Sequence, residues 1–267
     1  MVLDRDTPQC SAPVRETDTP KTSQRPSHLK IFMKSFEKKL FGYKSPEAQA
    51  EGFISDLENP ARKLLGLLKK KIDRKEYDSV LGDDADARIH TLVLGNAIKE
   101  IYGGSKKLEI VFVQGGDLLF NLSEHADEVK SYLHRIKDKI GKHTLIVTEE
   151  IFSGKSVEKL ALILRSLYIK ADVATFNVEE PEEFENYNNP IITPEDVNIY
   201  NGEGMSYMLG KHLGVLNRAR SGKGYAVARR PVDKLEQQQI IAAREAAKSL
   251  AHKLADEYSN MNPTDTP

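Results

Sequence analysis

The apolar positions change their period several times along the chain. Ile31, Phe32, Phe36, Leu40 and Phe41 recur at helical intervals, and Pro46 and Pro60 open two further elements. The segment Ala61 to Lys71 gathers Leu64, Leu65, Leu67 and Leu68 before a basic end, which suits the carbonyl end of a helix. The middle then alternates. Tyr77 to Leu81 reads as a strand ending at Gly82, and Thr91 to Ile101 as a helix stopped by Gly103 and Gly104. Leu108 to Val113 is a buried-type strand followed by Gly115 and Gly116. Ser123 to Ile140 is a helix with Val129, Leu133, Ile136 and Ile140 on one stripe. Thr144 to Thr148 is a strand, Ser156 to Leu167 a helix and Asp172 to Val178 a strand. This β-α-β-α-β-α-β order predicts an α/β fold, a parallel sheet covered by helices.

The flanks have no such alternation. Residues 1–29 are polar and broken by Pro8, Pro13, Pro20 and Pro26, which predicts a disordered tail. Residues 179–205 are acidic, then rich in Asn, Pro and Gly, and read as loops with short elements. Val232 to Tyr258 reads as one long helix with Ala243, Ala247, Leu250 and Leu254 on its apolar stripe. The division expected is therefore a tail over 1–29, an α/β domain with N-terminal helices over 30–230, a long helix over 231–258 and a flexible tail over 259–267. The stripe would pack on the domain or on a second subunit, so a homodimer is one expectation.

Composition narrows the function classes. Lys plus Arg is 39 against 40 for Asp plus Glu, a net charge of -1, so bulk nucleic-acid binding is not expected. A basic cluster at Lys211, His212, Arg218, Arg220, Lys223, Arg229 and Arg230 is read as a solvated face ahead of a phosphate or RNA contact. No apolar run reaches the roughly 20 residues of a membrane span, and no secretory leader is evident, so a cytoplasmic protein is expected. The one cysteine, Cys10, excludes an intrachain disulfide.

Parallel sheets bind ligands beyond the carboxyl ends of their strands. Three such ends are unusual: Gly82 to Thr91, with Asp83, Asp84, Asp86, Arg88 and His90; Gln114-Gly115-Gly116-Asp117; and Glu149 to Ser156. In the last, a buried strand runs into two carboxylates, then a tight turn and a helix start. Backbone N–H groups there, with Ser153, Gly154, Lys155 and Ser156, would cradle a phosphate. Glu149 and Glu150 would hold ribose hydroxyls or magnesium. The ending Gly-Lys-Ser also matches a nucleotide-triphosphatase loop, but Glu149 stands where that loop needs its first glycine. Arg88 is the fixed positive charge of its loop and the candidate phosphate contact, with a salt bridge to a nearby aspartate as the plainer reading. His90 is read first as a helix-terminal residue and second as a ligand donor.

The segment Thr144 to Val157, TLIVTEEIFSGKSV, resembles the phosphoribosyl-pyrophosphate-binding motif of type I phosphoribosyltransferases. Glu149 and Glu150 match the acidic pair, Ser153-Gly154 the Thr-Gly and Ser156 the last hydroxyl. Both acids are glutamates and the loop is one residue short. The resemblance spans residues 73–178 and implies a phosphoribosyltransferase-like, Rossmann-like three-layer fold with helical additions at both ends. It implies phosphoribosyl pyrophosphate, or a related sugar phosphate, as ligand and magnesium as cofactor. It further implies Glu149, Glu150 and Arg88 as catalytic residues, with Ser153, Gly154, Lys155, Ser156, Asp83 and Asp84 as binding residues and Glu149 and Glu150 as metal ligands. Transfer at the anomeric carbon would rest on positioning and electrostatics. Two other readings stay open: a non-catalytic ribose-phosphate-binding module of the same fold, and a phosphate-processing hydrolase or triphosphatase.

Overall fold

The computed structural model describes residues 48, 52, 54–83, 87–113, 123–151, 154–178, 197–203 and 234–260, all within the compact unit Lys44–Pro267. In chain order these form α1 (Glu58–Asp73), β1 (Ser79–Asp83), α2 (Arg88–Tyr102), β2 (Glu109–Val113), α3 (Ser123–Arg135), α4 (Lys137–Ile140), β3 (His143–Ile151), α5 (Lys155–Ser166), β4 (Lys170–Val178), β5 (Ile199–Asn201) and α6 (Lys234–Glu257). A 3-10 turn, Tyr258–Asn260, follows. The two ends of the chain and the expected basic cluster, residues 211–230, lie outside the described residues.

The five strands pair in the order β2-β1-β3-β4-β5, all parallel. Both faces are covered, which is why the strands read as nearly continuous apolar runs. One face packs Val80, Leu145, Val147, Ala174 and Phe176 against α1, α2 and α6. The other packs Leu81, Val113, Ile146 and Val173 against α3, α4 and α5. The parallel sheet flanked by helices is as expected.

Several boundaries differ. β1 continues through Gly82 to Asp83, because Gly82 sits beneath the first turn of α2 instead of ending the strand. The helix expected over Ser123 to Ile140 breaks at Ile136 into α3 and α4. The short β5 is a short element of the kind expected within 179–205. β3 runs on through both glutamates to Ile151.

At the amino ends of the strands lies a buried carboxylate. Asp172 of β4 is fully buried. Its Oδ2 accepts from Lys71 Nζ (2.6 Å), His143 Nε2 (2.8 Å) and Tyr77 OH (3.0 Å), and its Oδ1 from Asn198 Nδ2 (2.8 Å). Burial alone would raise its pKa. The hydrogen bonds from His143, Asn198 and Lys71, with the charge of Lys71, outweigh burial and hold it well below the ordinary carboxylate range. The donors come from the end of α1, the approach to β1, the start of β3 and the approach to β5, so one side chain ties four elements to β4.

Asp172→Ala leaves the Lys71 ammonium without its buried partner and is expected to cost about 3 kcal/mol in urea unfolding, in line with breaking other buried pairs. The folded pKa of Asp172 lies below its unfolded value. Its contribution is therefore complete above the unfolded carboxyl range and lost as pH falls below about 4. The variant should show a shallower loss of stability than the wild type over that acid range.

Candidate functional site

The chain crosses faces at the middle of the sheet. After β1 it passes to α2 on the first face, and after β3 to α5 on the second. With β1 and β3 adjacent, their carboxyl ends flank a crevice where the following connections diverge.

The crevice has unequal walls. β1 pairs with β3 only as far as Gly82 opposite Val147. β3 continues along β4, with Glu150 opposite Asn177 and Ile151 opposite Val178. The overhang Glu149–Ile151 rises about 10 Å above the end of β1 at roughly 3.3 Å per residue. The described pairing of β3 with β1 stops short of this overhang.

The opposite wall is built on Gly82. A Cβ there would stand 2.7 Å from Phe112 Cδ1 and 2.7 Å from Thr91 Oγ1. Only a residue without a side chain lets the first turn of α2 and the β2 phenyl ring close over β1. Thr91 is itself fixed by donating Oγ1–H to Ala87 O at 2.6 Å. Phe112 then carries Arg88, whose guanidinium carbon lies 4.2 Å from the ring centroid.

Arg88 is half-buried, and its Nε is buried with no hydrogen-bond partner among the described residues. No salt bridge to it exists among those residues, so the aspartate pairing is not seen there; Asp84 and Asp86 lie outside them. Burial, and then the like charge of Arg244 on α6, lower the pKa of Arg88 below its ordinary value. α2 starts here with Ala87 as an N-cap that makes no side-chain hydrogen bond and with no acid in its first turn. α5 starts on Gly154 at φ 68°, also without a side-chain cap. Two helix N-termini thus face the same rim, each with an N-cap residue that offers no side-chain hydrogen bond.

The remaining expected residues fall as follows. Asp83 ends β1 and is 5% exposed. Lys155 and Ser156 are half-buried in the first turn of α5, behind the buried Gly154. Ser153 and Asp84 lie outside the described residues, as do Gln114 to Asp117. His90 is buried in the core face of α2, its ring edge-on to Phe176 at 4.6 Å.

Glu149 and Glu150 belong to the strand, not to the loop. Successive strand residues leave opposite faces. Glu149 continues the series Leu145 and Val147, which packs beneath α1, α2 and α6. Glu150 accepts from Asn177 Nδ2 across to β4 at 2.5 Å. The two acids do not form a joined pair for one ribose. The strand also leaves only residues 152–154 before α5, too few for the eight-residue wrap of a triphosphatase loop. Among the described residues no group of three or more His, Cys, Asp or Glu could hold a metal ion. No helix among them is long and apolar enough to cross a membrane.

No family model matches the chain, and no curated protein matches it. Among solved structures, the phosphoheptose isomerase of Neisseria gonorrhoeae is similar to it at 10% identity, covering 87% of this chain and 97% of that one, with a TM-score of 0.29. A likeness of that size carries no functional assignment. The expected phosphoribosyltransferase family has no model that matches this chain. Membership of that family, and transfer from phosphoribosyl pyrophosphate, are corrected accordingly. The physical reason is that the motif is generic. Four apolar residues, acids at a rim, a glycine and a hydroxyl are what any buried parallel strand needs to enter a helix.

Phe112, Asn177 and Arg244 were not singled out from sequence. Phe112 is one apolar residue within a strand run, and Arg244 follows the stripe residue Ala243 in a helix rich in charge. Gly82→Ala is expected to push Phe112 aside, destabilise the fold by about 1–3 kcal/mol and release Arg88. Thermal unfolding measures the first effect, and loss of the ring-current shift on the Arg88 side-chain protons the second.

Proposed function

We propose that the chain binds a small sugar phosphate in the crevice between β1 and β3. The observation that carries this reading is Arg88, a half-buried guanidinium whose Nε finds no partner among the described residues. Burying a cation without an anion is costly, and a bound phosphate would offset that cost. The starts of α2 and α5 add the positive ends of two helix dipoles.

The carboxylates argue for a hydroxylated ligand over a bare anion. Asp83 at the end of β1 and Glu149 on the overhang of β3 would accept hydrogen bonds from sugar hydroxyls. Glu150 would orient Asn177 on the far side of that wall. Lys155 and Ser156 would line the α5 side. Magnesium remains part of the proposal as a largely hydrated ion between the phosphate and Glu149 or Glu150.

Isothermal titration tests this with pentose 5-phosphates, hexose 6-phosphates and heptose 7-phosphates, each beside its unphosphorylated sugar, with and without magnesium. At least one phosphorylated sugar is expected to bind and its parent sugar not to. Arg88→Gln should weaken that binding about 10- to 100-fold, the span for losing a charge-assisted hydrogen bond. A folded wild type that binds none of the phosphates, or a variant that binds as tightly as the wild type, would contradict the reading.

A further inference from the structure

The amino edge of the sheet, opposite the crevice, carries a surface of a different character. The length of β3, about 30 Å at roughly 3.3 Å per residue, separates the two. α5 ends at the amino edge with Leu167 as its C-cap, and Tyr168 follows at φ 61°. Tyr168 N–H donates to Arg165 O at 2.9 Å, and Ile169 N–H donates to Leu164 O at 3.0 Å. This pair of bonds makes the helix ending whose left-handed residue is ordinarily glycine, because a Cβ strains the backbone there. The chain places a tyrosine at that position and leaves it 89% exposed. Burial of the ring therefore does not offset the strain.

The net charge of -1 is unevenly spread, and this edge holds a cluster of cations. Lys137 of α4 sets its Nζ 5.6 Å from the centroid of the Tyr168 ring. Lys170 opens β4 two residues after Tyr168, and its backbone N–H donates to Lys142 O at 2.8 Å. Lys139 stands between Lys137 and Lys142 in sequence, and just upstream Arg135 Cζ lies 6.0 Å from the Tyr132 centroid. Arg135, Lys139, Lys142 and Lys170 are exposed, and Lys137 is half-buried. None of these five cations has a salt-bridge partner among the described residues, whereas Lys106 and Lys107 meet Asp78 and Glu109. The acid within the run from Arg135 to Lys142 is Asp138. Clustered cations without carboxylate partners attract a polyanion. An open aromatic ring among them offers a flat face on which a base can stack.

We propose that this edge binds single-stranded nucleic acid, with backbone phosphates on Lys137, Lys142 and Lys170 and a base stacked on Tyr168. The surface is independent of the crevice and of its sugar phosphate. The strained, exposed ring is what selects this partner. An acidic protein segment or an anionic membrane is served by the lysines alone, with glycine at the turn. A duplex presents no free base face to the ring, so the single strand is the form that uses both the cations and Tyr168.

The test follows the fluorescence anisotropy of a labelled short oligouridylate and of a short DNA duplex over a salt series. It compares the wild type, Tyr168→Phe, Tyr168→Gly and the double variant Lys142→Gln/Lys170→Gln, with thermal unfolding of each protein measured without ligand. The wild type is expected to bind the single strand and to prefer it to the duplex. Tyr168→Phe keeps the ring and should bind like the wild type. Tyr168→Gly should weaken the single strand about tenfold while raising the unfolding midpoint, since it removes the stacking face and relieves the backbone together. The double lysine variant should flatten the slope of log affinity against log salt by about 1.4, at roughly 0.7 for each phosphate contact. Sugar-phosphate binding in the crevice should be unchanged in all three variants, so the two readings fail separately. A wild type that binds no oligouridylate would overturn the proposal. So would a Tyr168→Gly variant that binds as tightly as the wild type, or one whose midpoint falls along with its binding. Displacement of the oligouridylate by polyglutamate or by phosphatidylserine vesicles at equal charge would assign the surface to those partners and overturn it as well.

Discussion

The fold depends on a negative charge kept where solvent does not reach. Asp172 is tolerable in the core only because four donors converge on it, one of them the Lys71 ammonium. Each donor arrives from a different part of the chain. The carboxylate therefore acts as a gauge: α1 must end, β1 and β3 must begin, and the approach to β5 must pass, at fixed positions beside β4. An error in any one leaves a buried polar group unsatisfied at a cost of 1–3 kcal/mol or so. Asp78 does similar work nearby, accepting from the backbone N–H groups of Lys142 and His143 at 2.7 and 3.1 Å and pairing with Lys106 at 2.8 Å.

Fixing the strands at their amino ends decides what happens at their carboxyl ends. With starts aligned, the longer β3 must overhang the shorter β1, and the overhang is the tall wall of the crevice. With β1 interior to the sheet and α2 on one face, Gly82 must lie bare so that Phe112 and Thr91 can close over it. Phe112 in turn places Arg88. Among the described residues, the cation of the proposed site is thus positioned by packing and not by a carboxylate.

Much of this architecture is legible in the sequence because a sheet buried on both faces writes itself as runs such as Leu108 to Val113 and Thr144 to Thr148. β5 is legible only as an unspecified short element: three half-buried residues in a polar stretch have too little apolar content to fix its type and place. Gly82 and the glutamates mislead for a common reason. Gly82 reads as a terminator, and a pair of acids reads as the end of a buried strand, yet long-range pairing and helix contact keep both inside strands. Neighbouring acids in sequence then become acids on opposite faces. Arg88 is legible as the one fixed cation among three aspartates, though its support on Phe112 is not. The resemblance to a transferase motif reflects a local need of strand-to-helix entry, and it does not extend to the family.

The central claim is that the buried Nε–H of Arg88 is reserved for a phosphate. Its arginine Nε–H resonance, assigned by its absence in Arg88→Lys, can be followed by proton–nitrogen correlation NMR while a sugar phosphate is added. The account predicts a saturable downfield shift of that resonance with the phosphorylated sugar and none with the parent sugar. An Nε–H resonance that stays in place while the ligand binds elsewhere, or that moves equally with the unphosphorylated sugar, would contradict it.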